Sequence, residues 1–435
     1  MTDKQISDRL DYSYLRPQKA EMVTGFHKKE LIKRSVIQVR EYENATILPL
    51  RRDEQSAIVW QGSGGVIDSY CKYIEASSIP KLIDRGYTPE KTDHNHKTVV
   101  YCGYFRRHWG EFIAYCLPRL WYATMQDQNV DEYVFFIEEN DHYELSGNYK
   151  LLIERLGILD KVSFVSTPTT YKKVIVPELS YYQSEYYSDD YINTFNFIHN
   201  NIKCENTEKA EKIFLTRSQL KKSASYEAGV EMLDSFFAKN GYKVISPENV
   251  SFDEMVAYMD NAEVIACISG TLPHNLLFAN EQAKSKHMLL IERNALFNFF
   301  QPDTDKMLNC NITYIDANIS LYPVLLSNGP FIFAWNDYLK RFAEDNRMEP
   351  PDDSFLNEDN KKLLLKKYMR AYRLEYHMCL YMPEWMQKYV NVIFEAYYEG
   401  EEYFGDYLKE QRPFRTSQKP PFSYIVRLFR KIFNE

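Results

Sequence analysis

The sequence predicts an α/β fold built from two parallel-sheet units, and three observations carry that expectation. Between residues 212 and 292, short apolar runs of strand length alternate with runs of helical period. A second alternation of the same kind occupies residues 98–205. At 435 residues the chain is long enough to bury two cores. Strands that alternate with helices imply parallel sheets covered on both faces. Ligands of such sheets lie beyond the carboxyl ends of the strands.

The second alternation in chain order is the sharper one. Residues 212–216 form an apolar strand that ends in Arg217. Val230, Leu233 and Phe237 mark one face of a helix that Gly241 closes, and 242–245 is the next strand. Ser251 and Glu254 have capping-box spacing and open another helix. Residues 263–268 form a buried strand, followed by Ser269-Gly270-Thr271-Leu272-Pro273-His274-Asn275, a helical stretch to Lys284, and a last strand over 288–291 that ends in Glu292. Arg217, the Gly270 turn and Glu292 therefore fall on one sheet edge. A helix opening near Pro273 presents unpaired N–H groups and a positive dipole end, which suit a phosphate. Gly270 would admit close backbone approach, Arg217 would clamp phosphates, and Glu292 would take ribose hydroxyls. The ordinary alternative is a strand–glycine–helix turn that only reverses the chain.

The remaining segments divide as follows. Residues 1–95 form an N-terminal β-containing extension with strand-like runs at 35–39, 45–48 and 57–60 and a turn at 62–65. Residues 96–205 form the first unit. It has strands at 98–101 and 133–137, a helix over 109–125 with Phe112, Cys116, Leu117 and Leu120 on one face, and a helix around 147–156. The tyrosine-rich stretch 181–191 reads as a loop, whose rings pack or lie exposed, with sugar stacking as the alternative. Residues 206–330 form the second unit, 331–412 a helical region, and 413–435 a basic amphipathic tail.

Composition narrows the function classes. The chain is 45% hydrophobic and 26% charged, as a globular protein is. A net charge of −8 argues against nonspecific nucleic-acid binding, so no nucleic-acid partner is expected. Residues 1–8 hold no apolar run of signal-peptide type, and no stretch approaches the ~20 apolar residues of a membrane span. The seven cysteines are scattered without pairing, which suits reduced thiols in a cytoplasmic protein, with Cys102, Cys116 and Cys267 at core positions. Neither C-x-x-C nor H-E-x-x-H occurs, and a metal-independent site is expected.

Three motifs in order carry a family resemblance. The first is Gly103-Tyr104-Phe105-Arg106-Arg107-His108-Trp109-Gly110-Glu111-Phe112, continuing to Pro118-Arg119-Leu120-Trp121. The second is Val174-Ile175-Val176-Pro177-Glu178. The third runs from Ile213 to Arg217 and on through Ser269–Phe278 to Glu292. Together, over roughly 99–294, they resemble glycosyltransferase family 61, and its bacterial surface-polysaccharide members in particular. Where many members have His before the turn glycine, this chain has Ser269. Glu111 and Tyr115 stand where some bacterial members carry a second His and an acid.

The resemblance implies a GT-B-like arrangement, with two Rossmann-like units facing a cleft and C-terminal helices crossing back onto the first. It implies an inverting transferase that moves a sugar from a nucleotide-diphosphate sugar to a glycan or lipid-linked acceptor in bacterial surface (capsular) polysaccharide synthesis. Arg217, Ser269, Gly270, Thr271, His274, Asn275 and Glu292 would hold the nucleotide sugar. The acceptor's base would be His108 or Glu111, with Glu138, Glu139, Asp189 and Asp190 as further acidic candidates. The alternatives are a non-catalytic scaffold of a polysaccharide-assembly complex and another transferase, such as a pyruvyl transferase.

The last residues add a location. Positions 422, 425, 426, 429, 432 and 433 place apolar side chains on one helical face, interleaved with Arg427, Arg430 and Lys431. Such a helix suits an anionic membrane surface, so the protein is expected to be peripheral at the inner face of the cell membrane. The alternative is that the face packs on a neighbouring lobe or on a second subunit of a homo-oligomer.

Overall fold

In the computed structural model, which describes residues 9–53, 62–78, 86–125, 129–204, 208–220, 227–294, 298–319 and 330–378, two six-stranded sheets organise the chain. In spatial order the second sheet is Lys243–Ile245, Lys212–Leu215, Val264–Ile268, His287–Glu292, Asn311–Asp316 and Leu10–Tyr14. Every neighbouring pair in it is parallel. The chain leaves Lys212–Leu215 toward one edge, then returns to its other side at Val264–Ile268. That reversal opens a crevice beyond the carboxyl ends of those two strands, the place where open α/β sheets bind ligands.

The first sheet has the order Gly65–Ile67, Val39–Leu48, Thr169–Pro177, Asp93–Tyr104, Glu132–Phe136 and Val162–Val165. Its last four strands are parallel and its first two join antiparallel. Here too the order reverses on either side of Asp93–Tyr104, and His108 follows that strand. The fold is therefore mixed α/β with two Rossmann-like parallel sheets, as the alternation implied.

Residues 1–95 contribute to both sheets. Leu10–Tyr14 adds an edge strand to the second, whereas Val39–Leu48 and Gly65–Ile67 extend the first. Of the run expected at 35–39, only Val39 is in a strand. The run at 57–60 lies outside the described residues. A third, small sheet pairs Ile32–Arg34 with Tyr186–Ser188, which in turn pairs with Tyr181–Tyr182. The tyrosine-rich stretch is thus a hairpin opening the helix Asp189–Asn200, and the loop expectation is corrected. The reason is burial: Tyr181 and Tyr191 are fully buried and stack at 4.9 Å, which a surface loop cannot provide.

The helix expected over 109–125 forms in pieces: Trp109–Glu111, a π turn over Phe112–Cys116, Leu117–Leu120, and a 3-10 turn over Trp121–Thr124. Pro118 gives the physical cause. It lacks the N–H that would bond Ala114, and its ring crowds the carbonyl four residues back, so the ladder widens there. The anticipated apolar face survives, with Phe112, Cys116, Leu117 and Leu120 all fully buried. Arg119, on the same segment, is also buried and donates to the carbonyls of Pro177, Ala76 and Ser78. It ties the end of Thr169–Pro177 to the segment before Asp93.

One apolar cluster draws on both sheets, joining Val100, Phe112 and Phe135 with Ile213, Ile265 and Leu290. Cys102, Cys116 and Cys267 are buried within it. The helix Asp337–Asp345 packs on Asn311–Asp316 and Leu10–Tyr14, while Glu358–Met378 packs on Glu227–Ala228 and Phe331–Ile332. The described C-terminal helices therefore lie on the second unit, where their apolar positions find a covering face, and not back across the first. The basic tail at 413–435 lies outside the described residues. Among the described residues no helix is long and apolar enough to cross a membrane.

Arg119 satisfies three carbonyls at once, that of Pro177 buried and those of Ala76 and Ser78 half-buried. Arg119→Met should lower stability by about 3 kcal/mol, since each buried group left unsatisfied costs ~1–3 kcal/mol. A urea melt showing an unchanged midpoint would refute the assignment.

Candidate functional site

The carboxyl ends of Lys212–Leu215 and Val264–Ile268 open into a cavity of about 310 Å³. From the first unit it is lined by His108, Gly110, Glu111, Tyr115 and Gln183, and from the second by Arg217, Ser269, Gly270, Thr271, His274, Glu292 and Arg293. Of the residues that the sequence assigned to the nucleotide sugar, together with His108 and Glu111, all but Asn275 are thus on its wall.

Asn275 has a different task. It is buried, and its Oδ1 accepts the indole N–H of Trp109 at 2.7 Å. Trp109 also packs against Phe252 and Phe278. This seam places the His108–Glu111 segment directly on the Gly270 turn. Gly110 shows how close the approach is: a Cβ there would sit 2.5 Å from the Thr271 methyl.

The turn itself departs from expectation. No long helix starts at Pro273. The chain makes a six-residue 3-10 turn over Pro273–Phe278 and another over Ala283–Ser285. All six residues of the first turn are buried, so tertiary packing, not helical propensity, sets their conformation. A 3-10 turn this short offers little aligned dipole to a phosphate.

The positive charge comes instead from a side chain that the sequence reading passed over. Arg293, immediately after Glu292, is mostly buried against the cavity, with its guanidinium 4.5 Å from the Phe331 ring centroid. On its other side lies Gly270, at φ +134°, where a Cβ would come within 3.2 Å of the guanidinium carbon. A side chain at 270 would therefore strain the backbone and press on Arg293, and Gly270 itself lines the cavity. Burial, and then the like charge of Arg217, pull the Arg293 guanidinium down to about 10, which keeps it charged at neutral pH. The strand-end rule that identified Arg217 would have found Arg293 as well.

Arg217 is mostly buried and its Nε donates to both carboxylate oxygens of Glu227 at 2.9 Å. Arg293 Nη1 lies 3.4 Å from Glu227 Oε1. Glu292 lines the cavity but is already paired. It is buried, its Oε2 meets Lys19 Nζ at 2.6 Å, and burial raises its carboxyl above the usual range. Lys19 also bonds the Asn294 carbonyl and lies 3.7 Å from Asp316. Ser269 is nearly buried and its Oγ accepts the N–H of Arg293 at 3.3 Å.

Across the cavity His108 is exposed at its edge, with no helix-capping hydrogen bond from its side chain. Glu111, 40% exposed, lies 3.7 Å from Arg106. Tyr115 donates its hydroxyl to Gln183 Oε1 at 3.0 Å, on the hairpin that the sequence did not anticipate. The further acidic candidates do not reach the cavity: Glu138 accepts from the Tyr104 hydroxyl at 2.7 Å, and Asp189 pairs with Lys33.

Asp303-Thr304-Asp305 has the D-x-D spacing that can hold a metal under a diphosphate, a pattern that the metal-independent expectation overlooked. Both carboxylates are buried with internal partners. Asp303 accepts from the Tyr181 hydroxyl and the Ser184 N–H, and Asp305 meets His27, Gln301 and Tyr314. Among the described residues no three His, Cys, Asp or Glu side chains form a metal-binding group.

His274 lies at the cavity floor, fully buried and edge-on to Phe300 at 4.5 Å. Burial pushes its imidazole from 6.5 to about 3, opposed in part by Gln301. The unfolded chain therefore binds this proton near pH 6.5 and the folded chain only near 3. Between those values the unfolded state carries more protons, so stability falls as pH falls. From pH 6.5 to 5 the loss should be about 2 kcal/mol. His274→Phe, which keeps the ring, should flatten that limb in urea melts run across the range; an unchanged slope would show that the imidazole is charged in the fold.

Residues 109–285 match the family described as Glycosyltransferase 61. No curated protein matches the chain.

Proposed function

The chain belongs to the glycosyltransferase 61 family through residues 109–285, and on that premise we propose that it is an inverting enzyme that uses a nucleotide-diphosphate sugar. The observation that carries the reading is the pairing of two guanidiniums, Arg217 and Arg293, with His108 and Glu111 across one cavity at the strand-order reversal of the second sheet.

In this reading the two Rossmann-like units face each other as GT-B units do. The diphosphate lies against Arg217 and Arg293, whose charges grow in value as the leaving group develops its own. These two charges supply the stabilisation that a divalent cation supplies in sites built on acidic motifs. Ser269 and Thr271 face the same space and hydrogen-bond the sugar nucleotide. His108 takes the proton from the acceptor hydroxyl as it attacks the anomeric carbon, and Glu111, one turn on, orients the acceptor or replaces His108 in that role. An exposed base suits an acceptor that arrives last, from solvent or from a membrane. The acceptor is a glycan or lipid-linked glycan of bacterial surface polysaccharide.

Calorimetry with UDP, GDP and other nucleoside diphosphates tests the donor side. Arg217→Ala should weaken the tightest of them roughly ten- to hundredfold, the value of about 1.5–3 kcal/mol for a charge-assisted bond. Unaltered affinity would remove Arg217 from the site. His108→Ala should cut turnover by ~10²-fold or more with donor affinity retained. If Glu111→Gln does this instead, the base is Glu111. A protein that binds no nucleoside diphosphate favours the scaffold or the pyruvyl transferase.

We place the protein at the cytoplasmic face of an anionic membrane through residues 422–433. Full-length protein should sediment with anionic liposomes at low salt and be released in part at high salt. A chain ending at Ser417 should remain in the supernatant and still bind nucleotide. Equal sedimentation of the two would leave packing against a partner subunit as the better account.

A further inference from the structure

Glu227 meets both site arginines, and it does not itself line the cavity. Its side chain is only 3% exposed. It begins the two-residue strand Glu227–Ala228, which pairs in parallel with Phe331–Ile332. The same short ladder therefore places two things against the arginines: the carboxylate between them, and the Phe331 ring that the Arg293 guanidinium covers. Glycine at 270 closes the opposite side. Arg293 is thus fixed by an aromatic face, a glycine and an anion, while Arg217 is gripped by its Nε edge through both oxygens of that anion.

Two guanidiniums side by side on a buried wall repel each other and lose their hydration. They stay together only with a counter-charge within reach, and Glu227 is placed to give it. We propose that Glu227 is the positioning residue of a two-arginine diphosphate clamp: it holds Arg217 and Arg293 side by side, so that both charges face the second phosphate of the ligand. The inference rests on the nucleotide-sugar reading above. Its bland counterpart is a buried ion pair that supports the fold and has no bearing on the ligand.

The affinity ratio between a nucleoside diphosphate and its monophosphate separates the two. General damage to the fold weakens both ligands together and leaves the ratio alone. Loss of a positioned clamp weakens the diphosphate selectively. The probes are UDP against UMP, GDP against GMP, and inorganic pyrophosphate, by calorimetry on the full chain. Glu227→Gln keeps the shape and one acceptor oxygen for the Arg217 N–H but removes the charge. It should reduce the diphosphate-to-monophosphate ratio at least tenfold and weaken pyrophosphate in parallel, with monophosphate affinity within twofold of wild type. Glu227→Asp keeps the charge but shortens the reach, and should give a ratio between the two.

If the wild-type protein binds none of the probes, the nucleotide-sugar reading fails and this inference fails with it. If the wild type binds and Glu227→Gln keeps the wild-type ratio, or binds the diphosphate more tightly, the inference alone is overturned, because Glu227 is then a structural pair or a competing anion. Should Glu227→Gln fail to fold, by its thermal melt, the Glu227→Asp ratio decides: a wild-type value overturns the inference and a reduced one supports it.

Discussion

The site depends on one seam. Trp109 donates its indole N–H to Asn275 and lays its ring on Phe252 and Phe278, and beside it Gly110 meets Thr271 with no room for a methyl group. That bond joins a half-buried indole to a buried amide, where little water competes with it. Everything on the first unit's side of the cavity is positioned from that contact. His108 precedes Trp109 and Glu111 follows Gly110, so both inherit their place against the second unit. The π turn that Pro118 causes lies immediately beyond, and turns Tyr115 toward Gln183 and the cavity.

Behind the cavity the charges are arranged in compensating groups. Lys19, from the helix Pro17–His27, lies between Glu292 and Asp316 and bonds a carbonyl as well. Asp305 gathers His27, Gln301 and Tyr314. Arg217, Glu227 and Arg293 form the third group. Buried charge is costly unless it is paired and hydrogen-bonded. The first two groups are enclosed and serve the fold. The third brings two guanidiniums to the border of the cavity. The N-terminal strand and helix matter here because they supply Lys19, without which Glu292 would set a negative charge at the same wall.

How much of this was legible in the sequence follows from the range of each interaction. Local signals held. The capping box of Ser251 and Glu254 forms with both of its hydrogen bonds, Gly241 closes the helix it was read to close, at φ +79°, and four strands of the second sheet fall where apolar runs predicted them, whereas Asn311–Asp316 and Leu10–Tyr14 were not anticipated. Strand order could not be read locally, yet the ligand edge followed from it once parallel strands were inferred. Arg217, Ser269, Gly270, His108 and Glu111 meet around one cavity for that reason.

What the sequence by itself determined is the α/β class, the strand and cap positions, and the group of strand-end residues, because periodicity and capping act over a few residues. Tertiary structure alone decided which of those residues face a ligand. It turned Asn275 into a strut and gave Glu292 to Lys19, 273 positions away. It set Glu227 between two arginines and brought Arg293 against Gly270. Each of these is a pairing of buried polar groups distant in sequence, and the partner of a buried charge is fixed only when the chain has folded.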